Sequence, residues 1–161
     1  MTKTAFDIYQ DYLDRTSVLL MQNDHDAIAK TFAYPNHMET LDGIMTLNTT
    51  AEAVQTTQAF RSYLQRMGAS DFFRICRGAV FSGEGDSVIT GTHESYILRG
   101  ATYMVEPYTN EVTFVLQDGQ WLEQKIRTLA ENVTVPILNP EQLRERALAK
   151  LQEIEGKTSN D

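Results

Sequence analysis

The side chains best suited to chemistry gather at two places. In the first, His37 stands two residues from Glu39, and Asp42 follows across a Leu41-Asp42-Gly43 turn. A two-residue spacing puts His37 and Glu39 on one face of a strand, where a carboxylate can orient and charge an imidazole. Glu39 or Asp42, if desolvated by apolar surroundings, would have its pKa raised into the range useful to a general base. In the second place, Thr92, His93 and Glu94 are consecutive. If this stretch is a strand, its alternation sends at least one polar group to the inner face. Glu39, His93 and Glu94 are therefore the candidate acid and base residues. Tyr63 and Trp121, among other aromatic residues, are candidates to donate hydrogen bonds to, or to line a pocket for, a flat or apolar molecule.

Other chemistries have no footing. His25, His37 and His93 are too scattered for a metal-ligand motif, and Cys76 is the single cysteine, so no disulfide or Cys-rich zinc site can form. Gly83-Glu84-Gly85 reads as a turn between strands and leads into no helix, unlike a phosphate loop, and no GxSxG elbow occurs. No metal or cofactor is expected. The net charge of −8 opposes binding to a phosphate backbone, so nucleic acid is not an expected partner. The chain shows neither the apolar run of a secretory signal at its start nor about 18 consecutive apolar residues anywhere, so a cytoplasmic protein without membrane contact is expected.

The elements that position these residues follow from periodicity. Phe6, Tyr9, Leu13, Ser17 and Leu20 keep helical spacing, and a short second helix after the Asp24 cap should stop before Pro35. Segments 36–40 and 44–47 read as a hairpin. The pair Thr49 and Glu52 forms a capping box that opens a third helix running to about Met67, with Gly68 as its stop. After it the period changes, and extended segments at about 71–82, 86–98, 103–117 and 120–130 read as antiparallel strands. Asn139-Pro140-Glu141 opens a last helix whose apolar stripe, Leu143, Ala147, Leu151 and Ile154, must cover the open end of the sheet or a partner chain. The chain divides into one domain over 1–135 and a C-terminal helix and tail over 136–161.

This order, with Asn23-Asp24-His25-Asp26-Ala27-Ile28, Phe32-Ala33-Tyr34-Pro35-Asn36 and Asp118-Gly119-Gln120-Trp121, resembles the nuclear transport factor 2-like superfamily, particularly its SnoaL-like polyketide cyclase and ketosteroid isomerase-like members. The resemblance covers roughly residues 6–130. It implies an α+β cone, in which a strongly bent antiparallel sheet wraps the N-terminal helices and leaves a pocket for a small hydrophobic molecule, and a homodimer formed through the outer face of the sheet. The C-terminal helix is an addition to that pattern. Laid on the isomerase pattern, Thr40 falls where an aspartate base would stand and Thr16 near the position of a donor tyrosine, with Tyr12 one turn away. A threonine hydroxyl is a poor base, so steroid-isomerase chemistry is not expected. The implied activity is cofactor-independent proton transfer on a hydrophobic or cyclic ligand, or non-catalytic binding in the same cone.

Overall fold

Thr4 starts the chain's first helix through a reciprocal cap. Its hydroxyl accepts from the amide of Asp7, and the Asp7 carboxylate accepts from the amide of Thr4. In the computed structural model, which describes residues 2–158, this helix, α1, spans Ala5–Met21, and its buried stripe includes Tyr9, Tyr12, Leu13, Thr16 and Leu20. Asp24 caps the five-residue α2, His25–Ala29. Two strands follow, β1 (Phe32–Thr40) and β2 (Gly43–Leu47), and then α3, Thr50–Arg66, capped by the Thr49 hydroxyl. The rest of the sheet is β3 (Asp71–Ser82), β4 (Val88–Arg99), β5 (Thr102–Tyr103), β6 (Tyr108–Gln117) and β7 (Gln120–Thr128), and α4 spans Pro140–Thr158.

The strands form one sheet in the order β2-β1-β7-β6-β4-β3, with β5 paired to β4. Its concave side packs against the helices through three apolar clusters, centred on Tyr9, Leu13 and Phe114, on Phe60, Leu64 and Ile97, and on Met45, Leu47 and Leu138. Register shifts interrupt β1 against β7, β3 between Cys76 and Gly78, and the β6/β7 ladder between Thr113 and Phe114. Such bulges bend a strand and increase its twist. The result is an α+β cone.

Four expectations need correcting. The sheet is mixed, because β1 runs parallel to β7; a parallel neighbour needs a crossover, which α3 and the intervening strands supply. Strand β1 begins at Phe32 and contains Pro35, which sits within the irregular stretch of the β1/β7 pairing, where a missing N–H costs no regular ladder bond. The expected strand over 103–117 is broken: β5 is two residues long, and β6 begins just after Pro107.

The last correction concerns α4. Only its first turns meet the body: Gln142 donates to the Glu52 carbonyl, and Arg146 pairs with the Glu52 carboxylate at 2.6 Å and donates to the Thr46 carbonyl. From Ala147 onward every described residue of the helix is exposed, Leu151 and Ile154 among them. Val135 and Leu138, in the segment before α4, are buried against the body in the role that the stripe was expected to fill. Helix α4 continues through Gly156 to Thr158; the remainder of the expected tail lies outside the described residues. Among the described residues, no helix is long and apolar enough to cross a membrane.

Candidate functional site

A cavity of about 110 Å³ lies inside the cone and borders all three apolar clusters. Leu20, Ile28, Phe60, Phe72 and Ile126 give it apolar walls, while Tyr12, Thr16, Arg74, His93, Ser95, Tyr108, Asn110 and Glu123 bring polar groups into it. An apolar cavity with a few convergent polar side chains is the common form of a small-molecule site.

Glu123 owes its place to the β7 bulge. Phe114 pairs with Glu123 but Thr113 pairs with Lys125, so Gln124 is the extra residue and the inward parity changes from odd to even along the strand. Glu123 is only 6% exposed. Its Oε2 accepts one long hydrogen bond from the Tyr12 hydroxyl, at 3.4 Å, while that hydroxyl also pairs with Thr31 Oγ1 at 2.8 Å. Burial disfavours the carboxylate and pushes the Glu123 pKa up to about 7, against the opposing pull of Arg74 and of the Tyr12 bond.

Arg74 is fixed to α1 from the sheet. Its Nε donates to Ser17 Oγ at 2.9 Å, and its Nη2 donates to the Leu13 carbonyl at 2.8 Å and to Thr16 Oγ1. Thr16 in turn donates to the Tyr12 carbonyl at 2.8 Å. These bonds hold a guanidinium, which stays charged in proteins, inside the cone.

His93 sits on β4 with Nδ1 2.7 Å from the Tyr9 hydroxyl. Burial, with Arg74 adding to it, holds the imidazole pKa well below its usual value, so the ring is neutral. The assignment that satisfies both groups has Tyr9 donating to Nδ1 and the proton on Nε2. Nε2 is buried and finds no partner among the described residues. Nearby, Asn110 donates to Ser95 Oγ at 2.8 Å and accepts from Thr128 Oγ1 at 2.7 Å, which locks its amide. Chemically, the site combines a carboxyl able to exchange a proton near neutral pH, a neutral donor and a fixed cation.

Of the residues singled out in the sequence, Tyr12, Thr16 and His93 meet at this cavity. The others lie elsewhere. In β1 the even-numbered Asn36, Met38 and Thr40 are buried, so Glu39 and His37 point to the outer face. There Glu39 approaches Arg127 at 3.7 Å, and His37 contacts Thr46 at 3.4 Å. Glu94 also faces outward; it pairs with Arg77 at 2.8 Å and accepts from Tyr96, and these bonds lower its pKa, away from the range of a base at neutral pH. Thr40 is buried but donates to Asp42 at 2.9 Å, and Asp42 in turn accepts from the amides of Asn132 and Val133, tying the β1–β2 turn to the segment after β7. Tyr63 stacks on Phe60 and donates to the Thr134 carbonyl, and Trp121 packs near Phe81, neither of them lining the cavity.

Glu123 is not among the residues singled out in the sequence. A signal existed: Trp121 and Glu123 share one parity, Ile126 and Thr128 the other, and the break between them marks a bulge. Among the described residues, no group of three or more His, Cys, Asp or Glu side chains is placed to hold a metal ion.

No family model matches the sequence, and no curated protein matches it significantly. Solved structures do. A domain of unknown function with a cystatin-like fold from Nostoc punctiforme aligns over 99% of this chain and 100% of its own, with a TM-score of 0.63 and 12% identity. An NTF2-like protein with a cystatin-like fold from Novosphingobium aromaticivorans aligns over 83% and 88%, with a TM-score of 0.58 and 13% identity. Aln2 from a Streptomyces species aligns over 81% and 93%, with a TM-score of 0.58 and 12% identity. The chain therefore has the nuclear transport factor 2-like fold.

Proposed function

We propose that the chain is a small-molecule pocket protein of the SnoaL-like type, which moves a proton on a small, largely apolar or cyclic ligand without a cofactor. The observation that carries this reading is Glu123, a carboxyl buried in the cone wall with its pKa near neutrality. A catalytic acid or base works best when its pKa lies near the operating pH. In the reading, Glu123 takes a proton from the carbon beside a ligand carbonyl and returns it at another position. The oxyanion that forms meets the Nε2–H of His93 and the field of Arg74, donors already in place before reaction. Glu123 replaces Glu39 and Glu94 as the proposed base, because those two face away from the cavity.

The test is deuterium exchange at the α-carbons of butanone, cyclopentanone and small lactones, followed by proton NMR in heavy water, for the parent and for Glu123→Gln. The parent should exchange at least one compound faster than buffer, and the variant should lose about 10² to 10⁴ of that rate while still binding. Binding without exchange in the parent would identify a non-catalytic binding module and end the enzymatic reading.

We also propose a homodimer through the outer face of the sheet. Phe73, Ile75 and Val80 of β3 are exposed, and the Glu39–Arg127–Glu111 charge cluster stands exposed on β1, β7 and β6. Sedimentation of the parent beside Ile75→Glu checks this: a dimer that the substitution dissociates supports it, and a monomeric parent refutes it.

A further inference from the structure

We propose that the interior cavity is built for a short-chain carboxylate, and that one proton is taken up when the carboxylate enters, leaving Glu123 neutral in the complex. The inference rests on the reading of the cavity as a ligand site and names a class of molecule it takes; because Glu123 is protonated in that complex and cannot act as a base, the carboxylate occupies the site in competition with a carbonyl substrate.

Arg74 is the first reason. It belongs to no ion pair among the described residues, and its hydrogen bonds to α1 use Nε and Nη2, leaving Nη1 for another acceptor. A guanidinium in an apolar interior is costly unless an anion accompanies it. Glu123 fills that role only in part: it feels Arg74 through space, but the two form no ion pair, and burial still holds the carboxyl well above its usual range.

His93 is the second. Cys76 pairs with His93 and Arg74 with Ser95, so Arg74 and His93 are diagonal neighbours on one face of the β3/β4 ladder. Both line the cavity. The unpartnered Nε2–H of His93 and the open edge of Arg74 therefore present two donors to one region, the arrangement that a carboxylate with two oxygens satisfies.

Size and polarity supply the third reason. A cavity of about 150 Å³ in another protein holds benzene, so the 110 Å³ here has room for about four to six non-hydrogen atoms. The apolar walls, Leu20, Phe60 and Ile126 among them, suit a short hydrocarbon tail.

Proton uptake follows from the charges. The titratable groups facing Glu123 are Tyr9 and Tyr12 from α1, Tyr34 from β1, Arg74 from β3, His93 from β4 and Tyr108 from β6. The tyrosines are neutral because burial pushes their hydroxyls up, and His93 is neutral because burial pushes it down, so Arg74 is the single charge opposing Glu123 in this group. Two carboxylates beside one cation in a desolvated space cannot both ionise. The entering acid, in contact with Arg74, keeps its charge, and Glu123 holds the proton.

Calorimetric titration of the parent with butyrate and crotonate, beside the neutral butyramide and crotonamide, tests this at about pH 6 and about pH 8 in two buffers of different ionisation enthalpy. The acids should bind at least about tenfold more tightly than the amides at the lower pH. Above about pH 7 their affinity should fall by roughly tenfold per pH unit with nearly one proton taken up per ligand, and Glu123→Gln should flatten that dependence. Acids binding no better than amides at about pH 6, or binding at about pH 8 without proton uptake, would overturn the inference. Ketone exchange by a parent indifferent to carboxylates would sink the anion site and leave the proton-transfer reading standing. Carboxylate binding with proton uptake but no exchange of any ketone would do the reverse. A parent that binds neither class refutes both.

Discussion

Glu123 and Lys125 lie two residues apart on one strand yet face opposite sides of the sheet. Glu123 reaches the interior cavity, and Lys125 joins Glu39 and Arg127 along a groove on the outer face. The extra residue between them, Gln124, reverses the alternation at that point. A chain without this bulge would either expose Glu123 or bury Lys125 beside it.

The pH dependence of stability reports on Glu123 directly. Its folded pKa, about 7, is raised from an unfolded value near 4.5, so the unfolded state gives up the proton first as pH rises. Stability from this group is full below the lower value and is lost as pH rises through the upper one. The loss amounts to about 3 kcal/mol. Urea denaturation should show Glu123→Gln gaining on the parent by about that amount between about pH 4 and about pH 8. A difference that stays constant across this window would show that the Glu123 carboxyl is not held protonated.

Tyr9 and His93 form a buried pair whose coupling can be measured. Tyr9→Phe leaves Nδ1 of His93 without its donor, at a cost of about 1 to 3 kcal/mol. His93→Phe strands the Tyr9 hydroxyl in the same way. The double variant removes both polar atoms, so a thermodynamic cycle should show the two losses adding to clearly more than the loss in the double variant. Simple additivity would mean that the 2.7 Å contact contributes nothing.

Gly91 and Gly78 should respond differently to alanine, although each lies in a long strand near the β3 bulge. A Cβ on Gly91 would collide with the Gly78 carbonyl oxygen and come within 2.8 Å of the Tyr9 ring, whereas a Cβ on Gly78 meets nothing within 4 Å. Thermal melts should place Gly91→Ala about 2 to 3 kcal/mol or more below the parent, and Gly78→Ala within about 1 kcal/mol of it. Equal effects would show that β4 has room to shift away from α1.

Helix α4 past Arg146 makes no contribution to the interior. A chain ending at Arg146 should melt within about 2 °C of the parent at low protein concentration, because every residue removed is exposed or lies beyond the described segment. Arg146→Ala, which removes the ion pair to Glu52 and the bond to the Thr46 carbonyl, should cost more than the whole truncation. If the truncation proves the costlier change, the outer part of α4 has a partner.

The cone was legible in the sequence because its signals are local. Thr4, Asp24 and Thr49 cap where their side chains say they should, Gly68 stops α3 with a positive φ, and Asp118-Gly119 turns β6 into β7 with positive φ at both residues. The site was only partly legible, because it depends on which way each strand residue points. His93 could be named from mid-strand polarity, and Tyr12 and Thr16 from the resemblance to the isomerase pattern. Glu39 and Glu94 looked equally apt as acids, and only the register sends them outward, where Arg127 and Arg77 meet them. Glu123 escaped notice because a bulge is an interruption of a pattern, and one residue is little sequence in which to see it.

The walls of the cavity come from α1, α2, α3, β1, β3, β4, β6, β7 and the stretch before α4, so almost no part of the chain is a spectator to whatever enters. A guest there would act as a keystone, joining segments more than a hundred residues apart. The melting temperature of the protein would then be a property of the mixture as much as of the polypeptide, rising with the logarithm of guest concentration once that exceeds the dissociation constant.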